Sequence, residues 1–454
     1  MKLTAPRPAV FATVTLSALF LTVGCAANGP QDSATGSNDA EGTSESVVGD
    51  WEIPDVAPEA TISVLGLPDL DAGNMQLVLD AFAEDYPSIT VEYESVPFAD
   101  LNAAIDAGVS AMDGRPDVYW ADMPRIAALN ARGYTTDLTE QFAPYREAWD
   151  EASYLGASDG DTLQGVPIAN STQLLYYNKD LLDASNIQYP SSDPSERITW
   201  EELAENAGTI VGDGAKSGLL FGQIDRYYQI QALPMSLGGS AGGTGEGNLT
   251  PDITSDAWIQ AMEFYGQIHA EGLSPRAIPA DQMEAEFLNG SAAYYVNGPW
   301  VLPAMNASDI NWGVALHPYF AEGEPVTATG SWALALNPFS EKKEAAAIFM
   351  KWMSVDDGGG YIRYRPDAEL PANIEGKPLY FGKDVFATDE GQVAGEIIEY
   401  ETANTAVNRL GTVGYVEFEE IMGRAFSDIR NGAEPAAALE AASAELATAW
   451  AVYR

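Results

Sequence analysis

The chain has 454 residues, 46% of them hydrophobic and 10% aromatic, enough for one large α/β unit or two to three ordinary domains. Acidic residues number 67 against 22 basic, a formal charge of −45, which repels nucleic acid and anionic lipid and argues against both as partners. One cysteine and two histidines, His269 and His317 in different segments, allow no intramolecular disulfide and leave zinc, haem and Cys/His nucleophile chemistry without its parts.

Residues 1–25 begin with Lys2 and Arg7 and continue with an apolar run from Phe11 to Val23. That run is short for a bilayer span and reads as the core of a signal peptide. It ends Leu21-Thr22-Val23-Gly24-Cys25, which resembles a bacterial lipoprotein cleavage box, although Thr22 stands where leucine is usual. The resemblance implies a diacylglyceryl group on Cys25, and two acyl chains suffice for stable attachment to a membrane. Residues 26–58 are mostly Ala, Gly, Ser, Asn, Asp, Glu and Thr, which bury too little surface to offset chain entropy. The composition predicts a flexible tether.

From Thr61 the pattern changes. Thr61–Gly66 reads as a strand, and Met75, Val78, Leu79 and Phe82 at helical spacing predict a helix over 74–86 that Pro87 ends. A strand over 89–96, a helix over 98–112, a strand over 117–121 and a helix from Pro124 to Ala131 follow. Such alternation predicts a mostly parallel sheet covered on both faces, with ligands at the carboxyl ends of its strands. A hairpin turn at Asp159-Gly160-Asp161 precedes a second series: an extended run 166–178 and a helix over 179–185. Thr199 and Glu202 form a capping-box signature for the next helix. Gly238–Gly247 holds six glycines but no following Lys-Ser/Thr, so it reads as a flexible surface or cleft loop and not as a phosphate loop. A helix over 254–270, strands at 292–297, 312–316 and 331–336, a helix over 341–353 and a helical tail over 415–450 complete the expectation.

Four segments, in order, resemble the family 1 extracellular solute-binding proteins of ABC importers, the group that holds maltose- and multiple-sugar-binding proteins. They are Asp117–Asp122 with Ile126–Tyr134, Gly165–Leu181 with Thr199–Leu203, Phe287–Trp300, and Gly330–Leu336 with Lys343–Met350. The resemblance implies an α/β, two-lobed periplasmic-binding-protein-like fold with a central cleft and a multi-strand hinge. On that template, lobe one comprises 60–168 plus 297–329 and lobe two 174–291 plus 336–454, with crossings at 168–173, 294–297 and 330–334. It further implies a monomer without cofactor, anchored by lipid at the outer face of the cytoplasmic membrane. Such a protein captures a sugar and passes it to permease subunits driven by a cytoplasmic ATPase.

A sugar ring needs aromatic plates for its C–H faces and carboxylate or amide groups for its hydroxyl rim. Trp120, Trp300 and Trp332 are the aromatic candidates, with Tyr227, Tyr228 and Tyr364 behind them. Asp69, Asp122, Ser171, Gln173 and Asn297 are the polar candidates, with Arg363 or Arg365 from the tail. Each has a plainer role available: the aromatics in the core, Asp122 as a helix cap, Asp69 in a turn, Ser171 and Gln173 pairing strand backbone. A polyamine, osmolyte, peptide or metal complex in the same fold, or a secreted glycoside hydrolase, are the competing readings.

Overall fold

The computed structural model describes residues 51–454 apart from 68–72, 225 and 368. The expected leader, Cys25 and the tether as far as residue 50 lie outside the described residues, as does Asp69. The last residues of the expected tether are part of the folded body. Trp51, Ile53 and Ala57 pack against the core, and Gln141 donates to the Trp51 carbonyl at 3.0 Å. Residues 51–58 therefore belong to the folded body, because two large apolar side chains suffice to dock them.

Four strands from the first half of the chain and two from the second build a six-stranded sheet in the order Leu370–Pro371, Val166–Ser171, Gly330–Leu336, Val118–Asp122, Ala60–Gly66, Ile89–Ser95. Ala60–Gly66 runs parallel to both of its neighbours, while Gly330–Leu336 is antiparallel to the two strands it joins. Alternation along the strands divides the core into two layers. Ile62, Val64, Val118 and Trp120 share one hydrophobic cluster with Val78 and Phe82 of helix Asn74–Asp85. Leu65, Tyr119 and Ala121 share another with Leu101, Ile105 and Val109 of helix Phe98–Ser110. Phe82 meets Phe349 and Trp352 edge-on at 5.1 and 5.3 Å, which docks helix Lys343–Ser354 on this lobe.

The second lobe surrounds a four-stranded sheet ordered Trp312–Ala315, Leu174–Asn178, Ala292–Asn297, Ser217–Phe221. Thr199 caps helix Trp200–Gly212 by accepting from the Glu202 amide at 3.2 Å, as the spacing predicts. Ser255 caps Asp256–Ala270, against which the tail helices Tyr415–Arg430 and Pro435–Ala449 pack. Gly160, at φ +58°, turns the short hairpin of Ser158–Asp159 and Thr162–Leu163. The glycine-rich run forms a small hairpin in which Gly243–Thr244 pairs with Thr250–Pro251, and it lies away from the cleft. No helix among the described residues is long and apolar enough to cross a membrane.

Strand pairing redraws the expected lobe boundaries. Trp312–Ala315 pairs with Leu174–Asn178, so this part of 297–329 belongs to lobe two. Ala292–Asn297 is paired on both sides within the small sheet, and Gly330–Leu336 lies wholly in the large one. Neither 294–297 nor 330–334 is therefore a crossing. The chain leaves lobe one at Thr172–Gln173, returns between Ala328 and Gly330, and leaves again between Pro371 and helix Asp389–Asn404, which packs on Trp312–Ala315. Helix Lys343–Ser354, expected in lobe two, belongs to lobe one for the packing reason given above.

The return crossing is tied down by a buried charge. Arg197 donates to both Glu401 oxygens at 2.8 and 3.0 Å, and Glu401 also accepts from the His317 amide at 2.9 Å. The two ionic side chains are only 2% and 0% exposed. Burial first, and then the Arg197 charge, push the His317 ring down to about 3, so it packs neutral against Trp200. Thr405 donates to Glu401 and approaches Thr327, whose amide bonds back to the Thr405 carbonyl at 3.0 Å. Replacing Glu401 by Ala strands Arg197 without a partner. We expect the variant to lose about 3–5 kcal/mol in urea unfolding at unchanged m-value.

Candidate functional site

A cavity of about 470 Å³ lies between the lobes. Its position follows from strand direction: Asp122 and Ser171 are the last residues of their strands, and antiparallel Gly330–Leu336 begins at the same edge. Trp332 stands opposite Asp122 in the ladder, and Trp120 lies two residues back on the same face. Trp120 meets Trp332 at 6.1 Å and Tyr361 at 5.5 Å, and Phe98 closes edge-on against Trp332 at 5.7 Å. This wall belongs to lobe one. Lobe two faces it with Tyr228 and Trp300, inclined to each other at 6.2 Å.

The lobes touch through arginines. Arg409, from the segment after Ala406–Val407, donates from both terminal nitrogens to the two carboxylate oxygens of Asp122, one contact measuring 2.8 Å. Both side chains are 5% exposed, and the guanidinium lies 5.1 Å from the Tyr228 ring. The carboxylate of Asp122, with Tyr415 and Glu419 nearby, outweighs the cost of burial and pushes Arg409 above its ordinary range, so its charge is permanent. Arg125 of lobe one pairs with Glu419 of lobe two. Arg226 of lobe two lies 3.8 Å over the Phe98 ring. Near the hinge, Ser171 and Tyr228 hydroxyls meet at 2.9 Å. A Cβ on Gly330 would stand 2.7 Å from the Ser171 hydroxyl, so glycine is what lets the two crossings lie side by side.

Residues 67–359 match the family of bacterial extracellular solute-binding proteins. The chain belongs to this family. Family members bind solutes, and the two-lobed fold is shared with solved structures. An ABC substrate-binding protein of Listeria monocytogenes in complex with cycloalternan superposes with a TM-score of 0.74 at 20% identity, over 86% of this chain and 98% of that one. The GacH receptor of Streptomyces glaucescens, solved unliganded and with acarbose, gives 0.71 at 21% identity over 86% and 97%. In sequence, the chain is 24% identical over 363 residues to a galactooligosaccharide-binding protein of Bacillus subtilis, 76% of this chain and 77% of that one. It is 25% identical over 331 residues to a maltotriose-binding protein of Pyrococcus abyssi, covering 67% of each.

Of the residues expected at the solute site, Trp120, Asp122, Ser171, Tyr228, Trp300, Trp332 and Arg365, the second of the two tail arginines, line the cavity. Tyr227 does not. It stacks on Trp258 and donates to the Ala241 carbonyl at 2.6 Å, because consecutive helical residues point about 100° apart. Gln173 is wholly buried and accepts from Gln229 at 2.8 Å, which braces the first crossing. Asn297 sits behind Gly222, its side-chain oxygen on the Gly298 amide at 2.9 Å. Arg363 pairs with Asp357 and Tyr364 stacks on Trp352, both off the cavity, whereas Tyr361 and Arg365 line it from the same helix face. Phe98, Arg226, Asp367, Glu369, Arg409 and Glu419 also line the cavity, and sequence reasoning named none of them. Their positions depend on long-range packing and not on any local motif.

Because Asp122 is committed to Arg409, it acts across the lobes more than on a solute hydroxyl. Asp122→Asn keeps the shape but removes the charge that draws Arg409 over. We expect the solute-free variant to show a larger radius of gyration than the native chain in small-angle X-ray scattering.

Proposed function

We propose that the protein captures an oligosaccharide between its lobes and delivers it, in the closed form, to the permease of an ABC importer. On this reading Cys25 carries the lipid that holds the protein at the outer face of the cytoplasmic membrane, and the protein works as a monomer. The observation that carries the sugar assignment is the aromatic lining on both sides of one cavity: Trp120, Trp332, Tyr361 and Phe98 from lobe one, Tyr228 and Trp300 from lobe two. Flat π faces opposed across a gap suit the C–H faces of pyranose rings, and the polar groups between them suit hydroxyls. The names of the relatives, galactooligosaccharide- and maltotriose-binding among them, agree with that chemistry.

A cation-seeking cleft is less well supported. Asp122, Asp367 and Glu419 are each matched by an arginine, Arg409, Arg365 and Arg125 respectively. These three charges are thus neutralised from within. The same pairing withholds these three carboxyl groups from the proton transfers a glycoside hydrolase must make.

Thermal-shift and calorimetric titration should show binding of maltooligosaccharides or galactooligosaccharides and none of spermidine or betaine, with no hydrolysis products. Trp300→Ala, which removes a half-buried plate, should weaken sugar binding by about tenfold or more. Tight amine binding without sugar binding would sink the assignment.

A further inference from the structure

Among the described residues five carboxylates reach the cleft, and four are accounted for. Asp122, Asp367 and Glu419 are in ion pairs, and Asp281 is exposed at the mouth. Glu369 is different. It is only partly exposed, it borders the cavity, and among the described residues it has neither an ion pair nor a side-chain hydrogen bond. The register that sets Leu370 opposite Asn170 carries Glu369 to the Ser171 end of the neighbouring strand, the edge where the cavity lies.

Glu369 faces Arg365, Asp367 and Asp122, with the phenols of Tyr361, Tyr380 and Tyr228 close by. An unpaired acceptor enclosed by an aromatic wall is costly unless something donates to it. A carboxylate offers two oxygens, the number that a pair of neighbouring sugar hydroxyls requires.

We propose that Glu369 is the specificity-determining acceptor of the cleft, taking two hydroxyls of the bound sugar as a carboxylate and losing hold of it when protonated. The proposal rests on the sugar reading above. Burial pushes the carboxyl up, and repulsion from Asp367 and Asp122 adds to this against the pull of Arg365, to about 7. Near neutral pH the empty cleft is therefore a mixture of the two forms. Binding to the ionised form must release a proton from the other. The sign follows: affinity is full above this pKa and declines as pH falls through it, by up to tenfold per pH unit. Protonation removes an acceptor and turns that oxygen into a donor.

The test is calorimetric titration of the full chain with maltotriose and with a galactooligosaccharide at several pH values from 5.5 to 8.5. In the native chain, affinity should fall about tenfold between pH 7.5 and 6, with proton release on binding. Glu369→Gln, which keeps the shape, should bind weakly at pH 8 and show a flat profile. Glu369→Asp should keep the pH dependence with lower affinity, and it serves as well should the amide variant fail to fold. A flat native profile, or a Gln variant that binds like the native chain, overturns the role of Glu369 and leaves the sugar reading standing. Failure of both sugars to bind at any pH overturns the sugar reading and this proposal with it.

Discussion

The two lobes of this protein are held against each other by charge, above all by the pair between Asp122 and Arg409. Its partners lie 287 residues apart in sequence and one in each lobe, and closure brings both out of water. Removing two such ions from solvent costs several kcal/mol each, and only good geometry recovers it. Here the geometry is good: two parallel contacts, with the guanidinium also resting over Tyr228. Arg125 with Glu419 and Arg226 over Phe98 repeat the arrangement, each with one member per lobe. Attraction and desolvation oppose each other at every bridge, so the bridges hold an empty cleft shut by a small margin only. A modest contribution from a solute is then enough to decide the population.

The same bridges explain what was legible from the amino-acid order and what was not. Trp120, Asp122, Ser171 and Trp332 were identifiable because they sit at the ends of strands whose period is short and regular. Strand direction then places them at one edge. The errors have another source. Choosing Tyr227 with Tyr228, or Tyr364 over Tyr361, is an error of helical phase, and a helix of four or five residues is too short to reveal its phase. Arg409 follows a two-residue strand and carries no motif at all; its role exists only because Ala406–Val407 pairs with Thr327–Ala328 beside the return crossing. The lobe boundaries failed for a related reason. An apolar run such as Ala292–Asn297 shows that a strand forms, but not which sheet it joins.

The hinge is built so that movement is confined to few bonds. Ser171 pairs with Gly330, the Thr329 hydroxyl donates to the Ser171 carbonyl at 2.8 Å, and the Thr329 amide bonds to Val407 at 3.0 Å. The first two crossings and the segment leading to Arg409 are thus laced together. On the lobe-two side, Glu401, Thr405 and Thr327 anchor that lacing to a buried ion pair. Rotation about the hinge must carry Arg409 as part of lobe two, which is why a single side chain can report whether the cleft is shut.

Taking a two-state population from 1:99 to 99:1 requires about 5.5 kcal/mol of difference in solute affinity between the states. The division of the aromatic groups supplies that difference. In an open cleft a ring can rest only on one wall, either Trp120, Trp332 and Tyr361 or Tyr228 and Trp300. In the closed cleft it meets both, and the second wall's contacts exist in that state alone. Binding energy realised on only one side of the equilibrium is the part that shifts it. Placing the aromatic plates on opposite lobes, instead of stacking them all on one, is therefore what couples recognition of a solute to movement of the protein.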